Sequence, residues 1–267
     1  MRMPGQGRGI LTALPSYVAA VAELPLSAQR TDGANGAVVV VPGSGDWWQG
    51  LLAARARGAV AVVIADPGEL PRKALEANPW SGGIPVVVER PRLRPDVVAD
   101  AVRARGGSPA RIITVECASP GAGLQAVVRD GLGWARSLTQ GTLTLQACIA
   151  TARGRIALLN SMSAGGSLPT TLAATETAAA AGMRDGGLLQ LLALGEVRTE
   201  VIVDQPAGLM RLETSTEDGI WRASAHYESS ARLALRRALE ACASGEPVAD
   251  LDELLEDISL TTALLGT

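Results

Sequence analysis

The sequence predicts an α/β plus α+β architecture, in which a truncated parallel sheet is followed by a mostly antiparallel open sheet with helices on one face. Three observations carry this. Residues 37–41 (AVVVV) and 59–65 (AVAVVIA) are short, wholly apolar and rich in β-branched side chains, as strands covered on both faces are. One helix-length segment separates them, and a third apolar run at residues 84–89 follows another such segment. From Ala110 onward the candidate strands carry polar residues at alternate positions. That pattern marks strands with one covered face and places a domain boundary between residues 1–109 and 110–267.

In the first domain, residues 36–67 set the pattern as one βαβ unit. Asp46 is placed to cap a helix over residues 47–57, and Gly58 to end it in the left-handed conformation. The loops 42–45 and 66–70 leave the carboxyl ends of the two strands, where open α/β sheets bind ligands. Ahead of this unit, residues 1–35 show no strand followed by a glycine-rich turn. They read as a loose leader with one helix near residues 16–23 and a turn-rich approach at 31–36. Beyond it come a second helix at 69–78, the third strand, and a third helix at 96–105, capped by Asp96 after Pro95 and stopped at Gly106 and Gly107.

In the second domain, residues 111–117, 142–150, 155–161, 188–194, 198–203 and 209–214 are the strand candidates. A glycine-bounded helix spans 121–141. The alanine and threonine run at 170–183 reads as helix or strand, and SAGGS at 163–167 as a hairpin or loop. Two helices close the chain: 228–243, ended by Gly245, and 250–265, opened by an Asp250-x-x-Glu253 capping pattern.

Composition narrows the function. A chain of 267 residues with 47% hydrophobic content supplies a real core, and a net charge of -3 without a dense basic patch gives no reason to expect nucleic acid. No apolar run approaches the roughly 18 to 20 residues of a spanning helix, and Pro15 and Ser16 break a faintly signal-like start, so a cytoplasmic location is expected. Cys117, Cys148 and Cys242 are odd in number and lack metal-ligand spacing, which suits buried, reduced thiols. The basic count of 24 is one lysine, Lys73, and 23 arginines, beside a single histidine, His226. Guanidinium groups do not give up protons at ordinary pH, so acid–base chemistry has few carriers. Lys73 reads as a solvated helix lysine, His226 as a packed or capping histidine, and the tryptophans as core or interface anchors. PGSGDWWQG at 42–50 offers amides ahead of a helix, but its G-x-G is incomplete and Asp46 repels anions, so it reads as a plain strand-to-helix turn.

Four stretches, in order, resemble the glucose-fructose oxidoreductase and inositol dehydrogenase family, Gfo/Idh/MocA, from about residue 36 to 265. The strand at 60–65 runs into Asp66-Pro67 where the family has Glu-Lys-Pro. Arg92-Leu93-Arg94-Pro95 is similar to its Arg-Phe-x-Pro, residues 121–141 to its helix bearing Asp-x-x-x-His, and the tail at 233–265 to its closing helix pair around Gly-x-Pro. The resemblance implies a Rossmann-like dinucleotide domain, a second domain with a large open sheet, oxidoreductase chemistry and association through that sheet.

The departures shape the expectation. The resemblance sets the family's lysine on Asp66 and its aspartate and histidine on Ala126 and Asp130, and no G-x-G-x-x-G turn precedes Gly36. A rival placement sets Glu89-Arg90-Pro91 on Glu-Lys-Pro, but then no Arg-Phe-x-Pro follows at the right distance, and Arg90 is a poor substitute for lysine. A truncated Rossmann-like domain follows, with no NAD site, no cofactor, and no catalytic, cofactor-binding or metal residue assigned. The expected function is a non-catalytic binding or partner subunit. Two alternatives stand beside it. One is an NAD(P)-dependent oxidoreductase completed by another chain, such as a full-length homologue. The other is a sugar-like small-molecule binding protein with Asp66, Arg94 and Asp130 facing a cleft. Strands at 143–150, 156–159 and 188–194 are apolar on both faces, which, with the resemblance, points to a homodimer through the second sheet.

Overall fold

The computed structural model describes residues 7–77, 83–163, 166–178 and 186–266; Trp80 and the end of the alanine and threonine run lie outside the described residues. The chain forms two units, Met1–Pro91 with Tyr227–Leu255, and Arg92–His226 with Glu256–Thr267.

The first unit is built on a parallel sheet of order β2-β1-β3-β4-β5, with β1 Arg8–Leu11, β2 Ala28–Arg30, β3 Val38–Pro42, β4 Ala61–Ala65 and β5 Val86–Glu89. Helices α1 Pro15–Ala22, α2 Trp47–Ala56 and α3 Arg72–Ala77 alternate with the strands. The apolar runs behave as expected: residues 38–41 and 61–64 are buried on both sides. Gly58 ends α2 with φ +79, where any Cβ is strained, whereas Asp46 sits at the N-cap without a side-chain cap bond.

The loose leader is corrected. Residues 8–30 form a complete β1-α1-β2 unit, because Ile10 and Leu11 pair with Val38 and Val39 on one side while residues 8–10 pair with 28–30 on the other. Ile10 and Tyr17 are fully buried in the core of this unit. Strands of four and three residues, one containing Gly9 and the other the polar Gln29 and Arg30, give too little local signal; their neighbours in the sheet define them.

The second unit holds an eight-stranded sheet of order β13-β12-β11-β10-β6-β9-β8-β7. Its strands are β6 Ala110–Pro120, β7 Thr142–Thr151, β8 Gly154–Ser163, β9 Gly166–Thr177, β10 Leu188–Gly195, β11 Arg198–Asp204, β12 Leu209–Thr216 and β13 Gly219–Arg222. Only the β6–β9 pair is parallel among the described ladders. Residues 170–177 of the alanine and threonine run therefore lie in strand β9, and Ser163 pairs with Gly166 across β8 and β9. In the outer ladder, Gln146 of β7 is left without an opposite residue, a bulge between Leu145 and Ala147.

Helices α4 Pro95–Ala104 and α5 Gly121–Thr139 pack with this sheet. Alternate residues Ile113, Val115 and Cys117 of β6 and Leu189, Leu191 and Ala193 of β10 share one core with Val128, Leu132 and Trp134 of α5. The opposite set of β8 side chains is exposed: Ile156 53%, Leu158 45% and Met162 53%. The division of the chain falls after Pro91 rather than near Ala110, because α4 packs against α5 and β12. Asp96 lies inside the first turn of α4, where it accepts the Val97 N–H, and Arg94 holds the cap position. The closing helices are α6 Ser230–Ser244, capped by Ser229 and ended at Gly245, and α7 Asp250–Leu265. Asp250 accepts from the Val88 N–H and pairs with Arg237 through both oxygens. No helix among the described residues is long and apolar enough to cross a membrane.

Candidate functional site at the carboxyl edge of the parallel sheet

From β1 the chain steps to β2 on one side, and β3, β4 and β5 extend on the other. The order reverses between β1 and β3, the switch point at which an open sheet leaves a crevice at its carboxyl ends. Residues 12–14 make the turn into α1. Thr12 Oγ1 accepts the Leu14 N–H, and Pro15 opens the helix, so this turn is held by a hydroxyl instead of by glycines. Ser16, exposed in the first turn, has neither its N–H nor its hydroxyl bonded among the described residues. At the end of β2, Arg30 and Asp32 are exposed, about 20 residues beyond Thr12, where such sheets read a ribose.

On the other side of the crevice, the loops after β3 and β4 are stitched together. Gly43 donates to the Ala65 carbonyl at 2.8 Å, and Gly68 donates to the Gly43 carbonyl at 2.8 Å. A Cβ on Gly43 would collide with the carbonyl oxygens of Ala65 and Asp66, so only glycine allows this approach. Asp66 is exposed and left-handed, φ 47, a conformation aspartate tolerates better than most residues, and its N–H donates to the Glu89 carbonyl at 3.0 Å. Beside it, the Tyr17 hydroxyl donates to Glu89 Oε2 at 2.6 Å. Burial first, then the Glu89 and Asp66 carboxylates, push the Tyr17 phenol far above its ordinary pKa. Tyr17 was not singled out by sequence reasoning; a tyrosine in the first turn of a helix has no local mark that separates it from a core aromatic.

Arg94 and Asp130 belong to the second unit. Arg94 makes a two-pronged pair with Asp96, at 3.1 and 2.6 Å. Asp130 is 0% exposed: one oxygen takes Arg92 Nε at 2.7 Å and the other Arg129 Nε at 3.1 Å. Arg92 also donates to Gln205 at 2.6 Å, and its carbonyl accepts from Trp134 Nε1. Asp130 is thus a buried counterion between two guanidinium groups. His226 bridges Asp100 and Asp96 at 2.8 and 3.2 Å, on successive turns of α4, instead of capping a helix. Lys73 is exposed on α3 as expected. Cys117 is buried, whereas Cys148 is exposed and Cys242 half-buried. Among the described residues no cluster of histidine, cysteine or carboxylate side chains is arranged to hold a metal ion.

This pairing of a five-stranded parallel sheet with an eight-stranded, mostly antiparallel one is the two-domain fold of the Gfo/Idh/MocA enzymes. The structure is similar to that of KijD10, a 3-ketoreductase from Actinomadura kijaniata in complex with TDP-benzene and NADP, with a TM-score of 0.63 and 13% identity over 97% of each chain. It is similar also to UDP-N-acetylglucosamine 3-dehydrogenase GnnA from Acidithiobacillus ferrooxidans, with a TM-score of 0.56 and 13% identity over 96% of this chain and 95% of that one. The dehydrogenase MviM from Clostridium difficile matches with a TM-score of 0.60 and 8% identity over 96% of this chain and 97% of that one. No family model matches the sequence, and no curated protein matches it significantly.

The expectation of a truncated, non-catalytic binding or partner subunit is overturned by these findings. The likeness to dehydrogenases and ketoreductases runs end to end, and the first βαβ unit thought to be missing is β1-α1-β2. What differs is the chemistry of its turn, which is threonine-held and lacks the G-x-G-x-x-G sequence.

Proposed function

We propose that this chain is a nicotinamide-dinucleotide-dependent oxidoreductase acting on a hydroxyl or ketone of a sugar-type substrate. The observation that carries the reading is the strand-order reversal between β1 and β3 behind a complete β1-α1-β2 unit, in a fold matched along its whole length by a ketoreductase solved with NADP. The residues at this edge fit the phosphate and ribose end of such a cofactor. Ser16 offers an unbonded N–H and hydroxyl at the start of α1, and Gly45, φ +62, has open space where a side chain would stand. Arg30 supplies a cation for a 2′-phosphate, or Asp32 an acceptor for a 2′-hydroxyl.

When bound, the dinucleotide supplies hydride transfer. The chain supplies the proton handling. We assign to Asp66, exposed at the end of β4, the role of taking the proton of the substrate hydroxyl, which the family resemblance gives to lysine; its exposure and its charge at a strand end support this. The Tyr17–Glu89 bond fixes the second carboxylate of this edge. The free cysteines support a reducing, cytoplasmic setting. Calorimetry with NADP and NAD, followed by turnover with TDP- and UDP-linked sugars, tests the reading. Saturable nucleotide binding is expected, and none at millimolar nucleotide overturns it.

A further inference from the structure

Beside its outermost strand β13 the second unit carries an open groove of about 520 Å³. The register of the β12–β13 hairpin explains its shape. Thr214 stands opposite Trp221 and Thr216 opposite Gly219, and residues directly opposite in an antiparallel pair project on the same side of the sheet. Thr214 is 3% exposed and lines the groove with Asp100, Arg103 and Ala104 of α4, so this is the side that the helix covers. The last turns of α4 make one wall and Trp221 the other. Gly219 has open space where a side chain would stand, which leaves the hairpin end of the groove clear.

Trp221 remains 46% exposed, although Ala223, two residues further along the same face, packs against the core. The charges around it are mostly negative. Asp100 has both oxygens engaged, one by Arg103 Nη1 at 2.8 Å and the other by His226 Nε2 at 2.8 Å. Asp218 lies in the exposed turn of the hairpin, where its N–H donates to Thr216 Oγ1 at 3.2 Å. Among the described residues no cation pairs with the Asp218 carboxylate. Two carboxylates, Asp100 and Asp218, against one guanidinium, Arg103, leave the lining with an excess negative charge.

We propose that this groove binds a small organic cation, whose ammonium group is held by the Trp221 ring and the Asp218 carboxylate. The face of an indole carries negative charge and attracts an alkylated ammonium, and Asp218 supplies the counter-charge. The same sign of charge opposes a phosphate or a carboxylate ligand. The volume exceeds what an ammonium head group fills, so the body that carries it lies along α4, over Thr214 and Ala104.

Calorimetry of the full chain with choline, its uncharged carbon isostere dimethylbutanol, and glucose tests this. Choline is expected to bind saturably in the millimolar range, while the isostere and glucose give no saturable heat. Trp221→Leu removes the ring but stays apolar, and Asp218→Asn removes the charge but keeps the shape. Each alters an exposed side chain and should weaken choline by about 5-fold or more. Sodium chloride reads the charge without any substitution, since affinity for choline should fall as salt rises. Glucose or the isostere binding as tightly as choline, choline affinity unchanged in both variants, or no choline binding at ~20 mM would each overturn the proposal.

Discussion

Tyr17 and Glu89 share a 2.6 Å hydrogen bond that ties the first helix to the edge strand β5. The phenol stays protonated across the physiological range, because burial and two carboxylates oppose its ionisation. It can therefore act only as a donor to Glu89. Tyr17→Phe keeps the ring and removes the donor, and should cost about 1–2 kcal/mol in urea unfolding. An unchanged midpoint would show that the bond adds nothing.

Asp66 is expected to carry proton transfer. Asp66→Asn keeps a side chain that tolerates the left-handed conformation, and should lower kcat by about 100-fold or more while nucleotide affinity stays the same. Unaltered turnover would remove Asp66 from the chemistry.

Arg30 should set the choice of nucleotide. Arg30→Ala is expected to weaken NADP by roughly 10-fold while leaving NAD within a factor of about two. Equal losses for both would place Arg30 outside the ribose site.

Much of the fold was legible because local pattern and tertiary environment agree. The runs at β3 and β4 are buried on both faces and read so; the alternation in β6, β10 and β11 matches one covered face. β1 and β2 were not legible, since a four-residue strand that exists through pairing with β3 and a three-residue strand that exists through pairing with β1 owe little to their own propensity. The site divides the same way. Asp66 was visible as a charge at a strand end, but the place of Asp130 was not, because its two arginine partners, Arg92 and Arg129, lie far away in sequence in one case and adjacent in the other, and spacing does not reveal burial.

Acid should loosen the start of α4. Burial raises the Asp96 pKa, but the two bonds from Arg94, the charge of His226 and the Val97 N–H outweigh it, and the net shift is downward. A lowered folded-state pKa gives stability that is present above the unfolded value, near 4, and lost as pH falls through the folded one. Arg94→Gln removes the main stabilising partner, so acid unfolding followed by circular dichroism should move to higher pH.

We propose that the second unit's sheet joins two copies of the chain through the face carrying Ile156, Leu158 and Met162. Leu158→Arg should bury an unpaired charge there and yield a monomer. Light scattering of the unaltered protein as a stable 27.4 kDa species would exclude the dimer.

The bulge at Gln146 has a consequence for solubility. β7 is the outermost strand, ten residues long, and TLTLQACIAT contains no charge and no proline to discourage another chain from adding alongside. The unmatched residue throws the outer row of N–H and C=O groups out of step midway. It divides a continuous template into two short ones, each too brief to seed growth of a fibre-like sheet.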